Sequence, residues 1–204
     1  MYLVKTPPLL KTVYPTLIWH INTKQKELYL TFDDGPTPGV TDWVLDVLKE
    51  YQAKATFFCL GINISKNKQL FEKILHEGHQ VGNHTNRHLN GWFTPSKSYL
   101  KDAEICQKHY DFKLFRPPYG KIKPTQIALL KKQYKIIMWD VLSADFDTNV
   151  TTEKCIENVL ENVQPGSIVV FHDSNKAFER LKKALPKILK ELSGQGYEFK
   201  SILS

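Results

Sequence analysis

From residue 27 onward the chain alternates short β-type runs with helix-period segments, and that alternation constrains its fold more than any single residue does. The runs are "ELYLTF", "KATFFCL", a weak "HQVG", a short "FKLF", "KIIMWDVL", "SIVVF" and "YEFKSIL", which gives seven strand candidates. Between them Val44, Val47, Leu48 and Tyr51 recur at helical spacing. So do Leu70, Phe71, Ile74 and Leu75, in a stretch opened by Ser65 and closed by Gly78. Thr94 and Pro95 read as a cap and first helical position, and Pro124 opens "PTQIALLKKQY". Gly194 and Gly196 end a last helix whose Pro186 should bend it or sit near its true beginning. Strands alternating with crossover helices form a parallel sheet, and seven units come within one of the usual α/β barrel. Residues 1–26 show no periodic element and read as an arm packed on the barrel, leaving 27–204 as the working domain.

A chain of 204 residues, 42% of them hydrophobic, has enough apolar material for one core and fits one domain better than two. The net charge of +7 comes from lysines scattered along amphipathic segments such as "LKKALPKILKEL", which read as solvated helix faces. No basic patch interleaves with aromatic residues, so nucleic acid is not an expected partner. Cys59, Cys106 and Cys155 are odd in number and lack metal-type spacing, and they read as buried, reduced thiols. The start lacks the pattern of a secretory signal and no run of about 18 apolar residues occurs, so the expectation is a cytoplasmic protein without a membrane span.

In parallel α/β folds reactive groups collect just past the C-terminal ends of strands. Asp33 and Asp34 follow "LYLTF" directly, and the Gly35–Pro36 turn can aim both carboxylates at one mouth. Two anions so close repel each other unless a cation intervenes; an ion bound by one would leave the other free as a base. Ordinary turn chemistry would explain the same pair. His84 and His88 are four apart, and a helical turn would put both imidazoles on one face. With Asp34 they form a three-ligand set that leaves a position open for water, as in catalytic zinc sites. Such donors also accept cobalt, nickel, manganese or iron. Arg116 precedes two prolines and can hold a carboxylate through two parallel hydrogen bonds, or be a solvated loop arginine. Asp145 follows "KIIMW", and His172 ends "SIVVF" where a carboxylate could tune it as a general acid. His79 reads as a buried, hydrogen-bonded histidine. His76 and His109 fall on helix patterns, and His20 has no evident partner.

In order, "TFDDGP", "HTNRH", "RPPYG", "SADF" and "VFH" resemble the five motifs of the polysaccharide deacetylases. This is carbohydrate esterase family four, which includes chitin, peptidoglycan N-acetylglucosamine and nodulation-factor deacetylases. The resemblance covers roughly residues 27–203. It implies a distorted (β/α)7 barrel and removal of N-acetyl groups from an N-acetylglucosamine-containing glycan by metal-activated water. It also implies roles: Asp33 as base, Asp34, His84 and His88 as ligands of a divalent ion, zinc first, and His172 as acid. Arg116 would orient the base, Asp145 would keep His172 protonated, and the Tyr119 N–H would hold the oxyanion. Tyr119, Pro118 and Phe146 would meet the substrate. Two positions depart from the family pattern: Leu142 where a further Asp usually stands, and Phe146 where a Trp usually stands. Phe146 keeps an apolar groove wall but lacks an indole donor. A related metal-dependent amidohydrolase acting on a small non-sugar amide or imide is the alternative, and a glycan-binding domain without turnover is a third reading. Short loops such as "FDTNVT" suggest an open, shallow cleft.

Overall fold

The computed structural model describes residues 2–203. Its frame is eight strands among these residues: β1 (Glu27–Asp33), β2 (Thr56–Cys59), β3 (Gln80–Asn83), β4 (Leu114–Phe115), β5 (Lys135–Ile136), β6 (Val141–Leu142), β7 (Ile168–His172) and β8 (Glu198–Phe199). They run parallel in the order β5-β4-β3-β2-β1-β7-β6, and β8 pairs with the foot of β1 at Glu27 and Leu28. The result is a curled, incomplete barrel in a single domain, the distorted (β/α)7 architecture that the sequence suggests.

Strand period sorts the core into two regions. Leu28, Leu30 and Phe32 of β1 point outward into the large cluster beneath the helices. Tyr29 points inward to a smaller cluster with Phe58, Leu114, Ile137 and Ile168. Phe32 stacks between Phe57 and Phe171 at 5.1 and 5.8 Å, which ties three neighbouring strands to the helical layer.

The outer layer is α2 (Val40–Glu50), α3 (Gly61–Lys66), α4 (Lys68–His76), α5 (Ser96–Gln107), α6 (Pro124–Leu130), α7 (Thr152–Leu160) and α8 (Asn175–Gly194). The expected helix between Ser65 and Gly78 is two helices. Ser65 lies inside α3, and Asn67 breaks the chain by donating to the Pro36 and Asn63 carbonyls. Pro95 is the cap of α5 and not its first residue. Pro186 lies inside α8, which runs on through it.

The single run "KIIMWDVL" is split into β5 and β6 because the N-terminal segment takes the backbone between them. Ile18 donates to Ile136 O at 2.9 Å and accepts from Met138 N at 2.7 Å, and Leu142 N donates to Val4 O at 2.8 Å. That segment also contains a short helix, α1 (Pro8–Val13), which its aperiodic sequence did not suggest; Pro8 stands at a first-turn position, where its missing N–H costs nothing. The buried Asp140 anchors the segment by accepting from Lys5 and Lys11, both at 2.7 Å, and from the Ser167 hydroxyl at 2.6 Å. The three cysteines are free and buried, and burial pushes the Cys106 and Cys155 thiols up to about 12. Among the described residues no helix is long and apolar enough to cross a membrane.

Candidate active site

Register brings the reactive groups together. Asp33 and His172 are partner positions on the adjacent strands β1 and β7, so both side chains leave the inner face at the same level. Thr31, two residues before Asp33, shares that face. Arg116 follows β4 and reaches across beneath them, wholly buried, with its guanidinium 4.1 Å from the Phe58 ring centre. Its Nη1 donates to Asp33 Oδ1 at 2.7 Å and to Thr31 Oγ1 at 2.6 Å, and its Nη2 donates to Met138 O at 2.9 Å. The expected pair of parallel bonds to one carboxylate is therefore a single bond, because backbone and Thr31 acceptors occupy the other donors. Burial would raise the Asp33 carboxyl, but Arg116, His84 and His172 outweigh it and hold the group below its usual range.

Asp34 turns out of β1 with φ 84°, a left-handed conformation, and its carbonyl accepts from Asn63 Nδ2 at 2.7 Å. Its Oδ1 is buried without a hydrogen bond among the described residues, 3.2 Å from His88 Nε2 and 3.8 Å from His84 Nε2. The two histidines do not share a helical turn. They lie in a loop where Thr85 and His88 have φ 66° and 59°, pinned by the Asp102 carboxylate through the Asn86 and Arg87 N–H groups. His84 Nδ1 donates to Arg116 O at 2.8 Å, since a carbonyl can only accept, and this leaves the Nε2 lone pair facing Asp34. Burial lowers both imidazoles, His88 to about 4, so both are neutral near pH 7. The ligand atoms of Asp34, His84 and His88 all lie within 4.8 Å of one another. An unsatisfied carboxylate oxygen facing two neutral imidazole nitrogens fits a divalent cation.

On the opposite side, the Asp145 carboxylate accepts from both His172 Nδ1 and the His172 backbone N–H, each at 2.8 Å. Burial would depress His172, yet Asp145, with Asp34 and Asp33 behind it, pushes it up to about 9. Phe146 packs edge-on against the His172 ring at 5.0 Å and against Tyr2 at 5.2 Å. Tyr119, φ 59°, lies edge-on to His88 at 4.4 Å, and its N–H has no hydrogen bond among the described residues.

Asp33, Asp34, His84, His88, Tyr119 and His172 line one cleft of about 520 Å³, which Tyr2, Leu142, Phe146 and Trp139 help to wall, with Arg116, Asp145 and Thr31 buried behind it. The cleft expected to be shallow gains the Tyr2 wall from the N-terminal segment. Pro118, expected at the substrate, is buried in the tight turn Pro118–Gly120; Pro117 before it and Tyr119, turned by its left-handed φ of 59°, line the cleft instead. Besides Tyr2 and Pro117, contributors not read from the sequence include Thr31, Trp139, Lys121, Lys176 and Asp173. Strand period from Asp33 identifies Thr31; Trp139 and Lys121 carry no local signal. Asp173 is buried and accepts from Gly35 N at 3.0 Å and Thr41 Oγ1 at 2.6 Å, and burial pushes it up to about 8.

Residues 20–135 match the family model described as polysaccharide deacetylase. A peptidoglycan-N-acetylglucosamine deacetylase of Bacillus cereus is 34% identical over 203 residues, covering 95% of each chain. The Bacillus subtilis peptidoglycan-N-acetylmuramic acid deacetylase PdaC is 32% identical over 89% of this chain and 39% of its own length. The crystal structure of the Bc1960 peptidoglycan N-acetylglucosamine deacetylase, in complex with an N-hydroxybenzamide, superposes with a TM-score of 0.85 at 31% identity, covering 97% of this chain and 95% of that one. The chain belongs to the polysaccharide deacetylase family, and its fold is that of the family-four carbohydrate esterases.

Proposed function

We propose that this chain is a metal-dependent hydrolase that removes N-acetyl groups from an N-acetylglucosamine-containing glycan. The observation that carries this reading is the arrangement of one cleft. An Asp34/His84/His88 donor set shares that cleft with a carboxylate held by Arg116 and a histidine held by Asp145. The relatives named above, which act on peptidoglycan sugars by their names, support it.

Asp34, His84 and His88 would hold a divalent ion, zinc first by donor type, with cobalt, nickel, manganese or iron also suited. When bound, such an ion polarises the acetamide carbonyl and acidifies a water molecule. Asp33, kept ionised by Arg116, takes the proton of the attacking water. The Tyr119 N–H, unused within the fold, donates to the developing oxyanion, a contribution of about 3 kcal/mol for one well-placed donor. His172 carries a proton up to high pH and gives it from Nε2 to the departing amine, while Asp145 fixes its tautomer and ring plane. Acetate and a free amino sugar are the products. Phe146 and Leu142 supply apolar wall beside the reacting group.

The test is to strip metal, restore zinc or cobalt, and measure acetate released from N-acetylglucosamine oligomers, with His84→Ala as control. Metal-dependent release that vanishes in the variant is the expected result. Stoichiometric metal bound through His84 with no acetate from any oligomer would overturn the glycan substrate and favour a small amide.

A further inference from the structure

Three stretches of the chain share one charge pattern. Residues 1–26, 78–101 and 112–139 hold half of the 28 Lys and Arg and none of the 21 Asp and Glu. Of those cations only Arg116 is buried. The same stretches supply every residue lining a second cavity, of about 280 Å³, so the fold gathers them on one side of the molecule. Leu10 and Tyr14 come from the N-terminal segment, Trp92 from the loop after β3, and Lys121 and Ile127 from beyond β4.

Most of the exposed large apolar side chains among the described residues lie on these stretches too. Phe93 is 85% exposed and Leu9 72%, and Leu3, Val13, Trp92 and Tyr119 are each more than half exposed. The short helix α1 buries none of its residues, and its Leu9 and Val13, four apart, share one side. The aromatic loop is held outward by its neighbours. Gly91 N donates to Lys121 O at 3.1 Å, Trp92 Nε1 to Ile122 O at 3.2 Å, and Lys123 Nζ to Thr94 O at 2.9 Å. Single exposed apolar residues are ordinary, whereas a cluster of them marks a contact surface.

Charge decides what covers this face. The Lys121 ammonium lies 3.8 Å from the Trp92 ring centre, and neither Lys121 nor Lys123 forms an ion pair among the described residues. A second copy docked through the same face would set these cations against themselves. A soluble polyanion would answer the lysines and leave Leu9 and Phe93 in water. An anionic bilayer answers both, because its headgroups meet the lysines while the exposed Phe, Trp and Leu side chains enter the acyl boundary. We infer that this face is a peripheral docking surface for an anionic phospholipid membrane. Tyr2 and Tyr119 line both the side cavity and the catalytic cleft, so docking places the cleft mouth at the edge of the contact. It does not depend on the reaction in the cleft.

The test sediments the full chain with vesicles of phosphatidylcholine alone and of phosphatidylcholine mixed equally with phosphatidylglycerol, and follows its mass in solution by light scattering. Wild type should sediment with the mixed vesicles and not with the neutral ones. Phe93→Ser and Leu9→Ser, each at an exposed position, should weaken that binding about tenfold. Joint replacement Lys121→Gln and Lys123→Gln should weaken it about twentyfold. Two controls should bind like wild type: Leu203→Ser, at a side chain 77% exposed beyond β8, and joint Lys187→Gln and Lys190→Gln on α8. No sedimentation with mixed vesicles, or equal losses in face and control variants, would overturn the membrane surface. Two other results overturn it by naming a different occupant. Phe93→Ser and Leu9→Ser binding like wild type while the lysine variant fails would mean a soluble polyanion. A wild-type dimer that Phe93→Ser dissociates would mean a second copy.

Discussion

Arg116 shows how a single side chain sets the chemistry of the mouth. It is fully buried, and among the described residues its charge is balanced by one carboxylate, Asp33. Arg116→Met should therefore raise the Asp33 carboxyl, since burial then loses its largest opponent and only His84 and His172 remain against it, and move the acid limb of the kcat/KM profile to higher pH. An acid limb that stays in place would deny Arg116 this role. Asp145→Asn acts on the other limb. His172 is raised to about 9 by Asp145, so the alkaline limb of wild type should lie no higher than about 9, a bound cation only lowering it. In the variant it should move to lower pH, with kcat reduced. The same shift contributes to stability in the metal-free protein. A histidine raised from its ordinary 6.5 stabilises fully below about 6.5 and loses that contribution as pH rises through about 9, about 3 kcal/mol in all. Urea unfolding across that range should show the decline in wild type and a flatter curve in Asp145→Asn. The sequence shows Asp33, Arg116 and His172 because each directly follows an apolar run, Asp34 because it adjoins Asp33, Asp145 because it lies just past "KIIMW", and His84 and His88 because they stand four apart. It does not show that Pro118 turns away or that Asp173 fills the space above Gly35, since both depend on a turn or on contacts between distant segments. A Cβ at Gly35 would lie 1.9 Å from Asp173 Oδ2, so the glycine beside the two aspartates is fixed by a residue from the far end of the chain.

The strands were legible because parallel, buried strands read as apolar runs between helix-period segments. The breaks were not, because distant residues cause them. β5 and β6 separate where Ile18, Val4 and Thr6 capture the backbone between them, and α3 and α4 separate where Asn67 bonds to Pro36. α7 went unread although Thr151 caps it by accepting from Lys154 N at 3.2 Å; its apolar side is short and carries few aliphatic residues. The N-terminal segment is thus part of the barrel wall, and Asp140 is the point where it is fastened. Asp140→Ala leaves Lys5, Lys11 and Ser167 without their acceptor, with Lys5 still donating to Asn162 O. The expected loss is about 1 to 2 kcal/mol, since the buried carboxylate's hydrogen bonds go but the partly exposed lysines keep access to water. Limited proteolysis should then cut within residues 2–26 before the rest of the chain. Unchanged unfolding and unchanged cleavage would mean that the backbone bonds of Ile18 hold the segment without Asp140.

The whole molecule was legible as a barrel with its chemistry at one end, because the order of strands places every suspicious cluster at a C-terminal strand end. What could not be read is how the mouth closes on itself. Asp34 comes from the end of β1, while His84 and His88 come from the loop after β3, two strands away in the sheet. Packing of β1, β2 and β3 brings them within 4.8 Å, yet no hydrogen bond among the described residues satisfies Asp34 Oδ1, which leaves a carboxylate oxygen unsatisfied where the two segments meet. A divalent ion would satisfy that oxygen and cross-link the segments, so binding should stabilise the fold by mass action, about 2.7 kcal/mol at a hundredfold excess over Kd. Thermal unfolding with added zinc or cobalt should show Tm rising with metal concentration in wild type. His84→Ala and Asp34→Ala should each abolish the rise. Asp33→Asn should keep it, because Asp33 is paired with Arg116 and is not a ligand in this arrangement. That separation decides between the two adjacent aspartates: a rise lost in Asp33→Asn and kept in Asp34→Ala would exchange base and ligand and undo the mechanism at its first step. If every variant keeps the rise, the ion binds elsewhere and the Asp34/His84/His88 set is not its site.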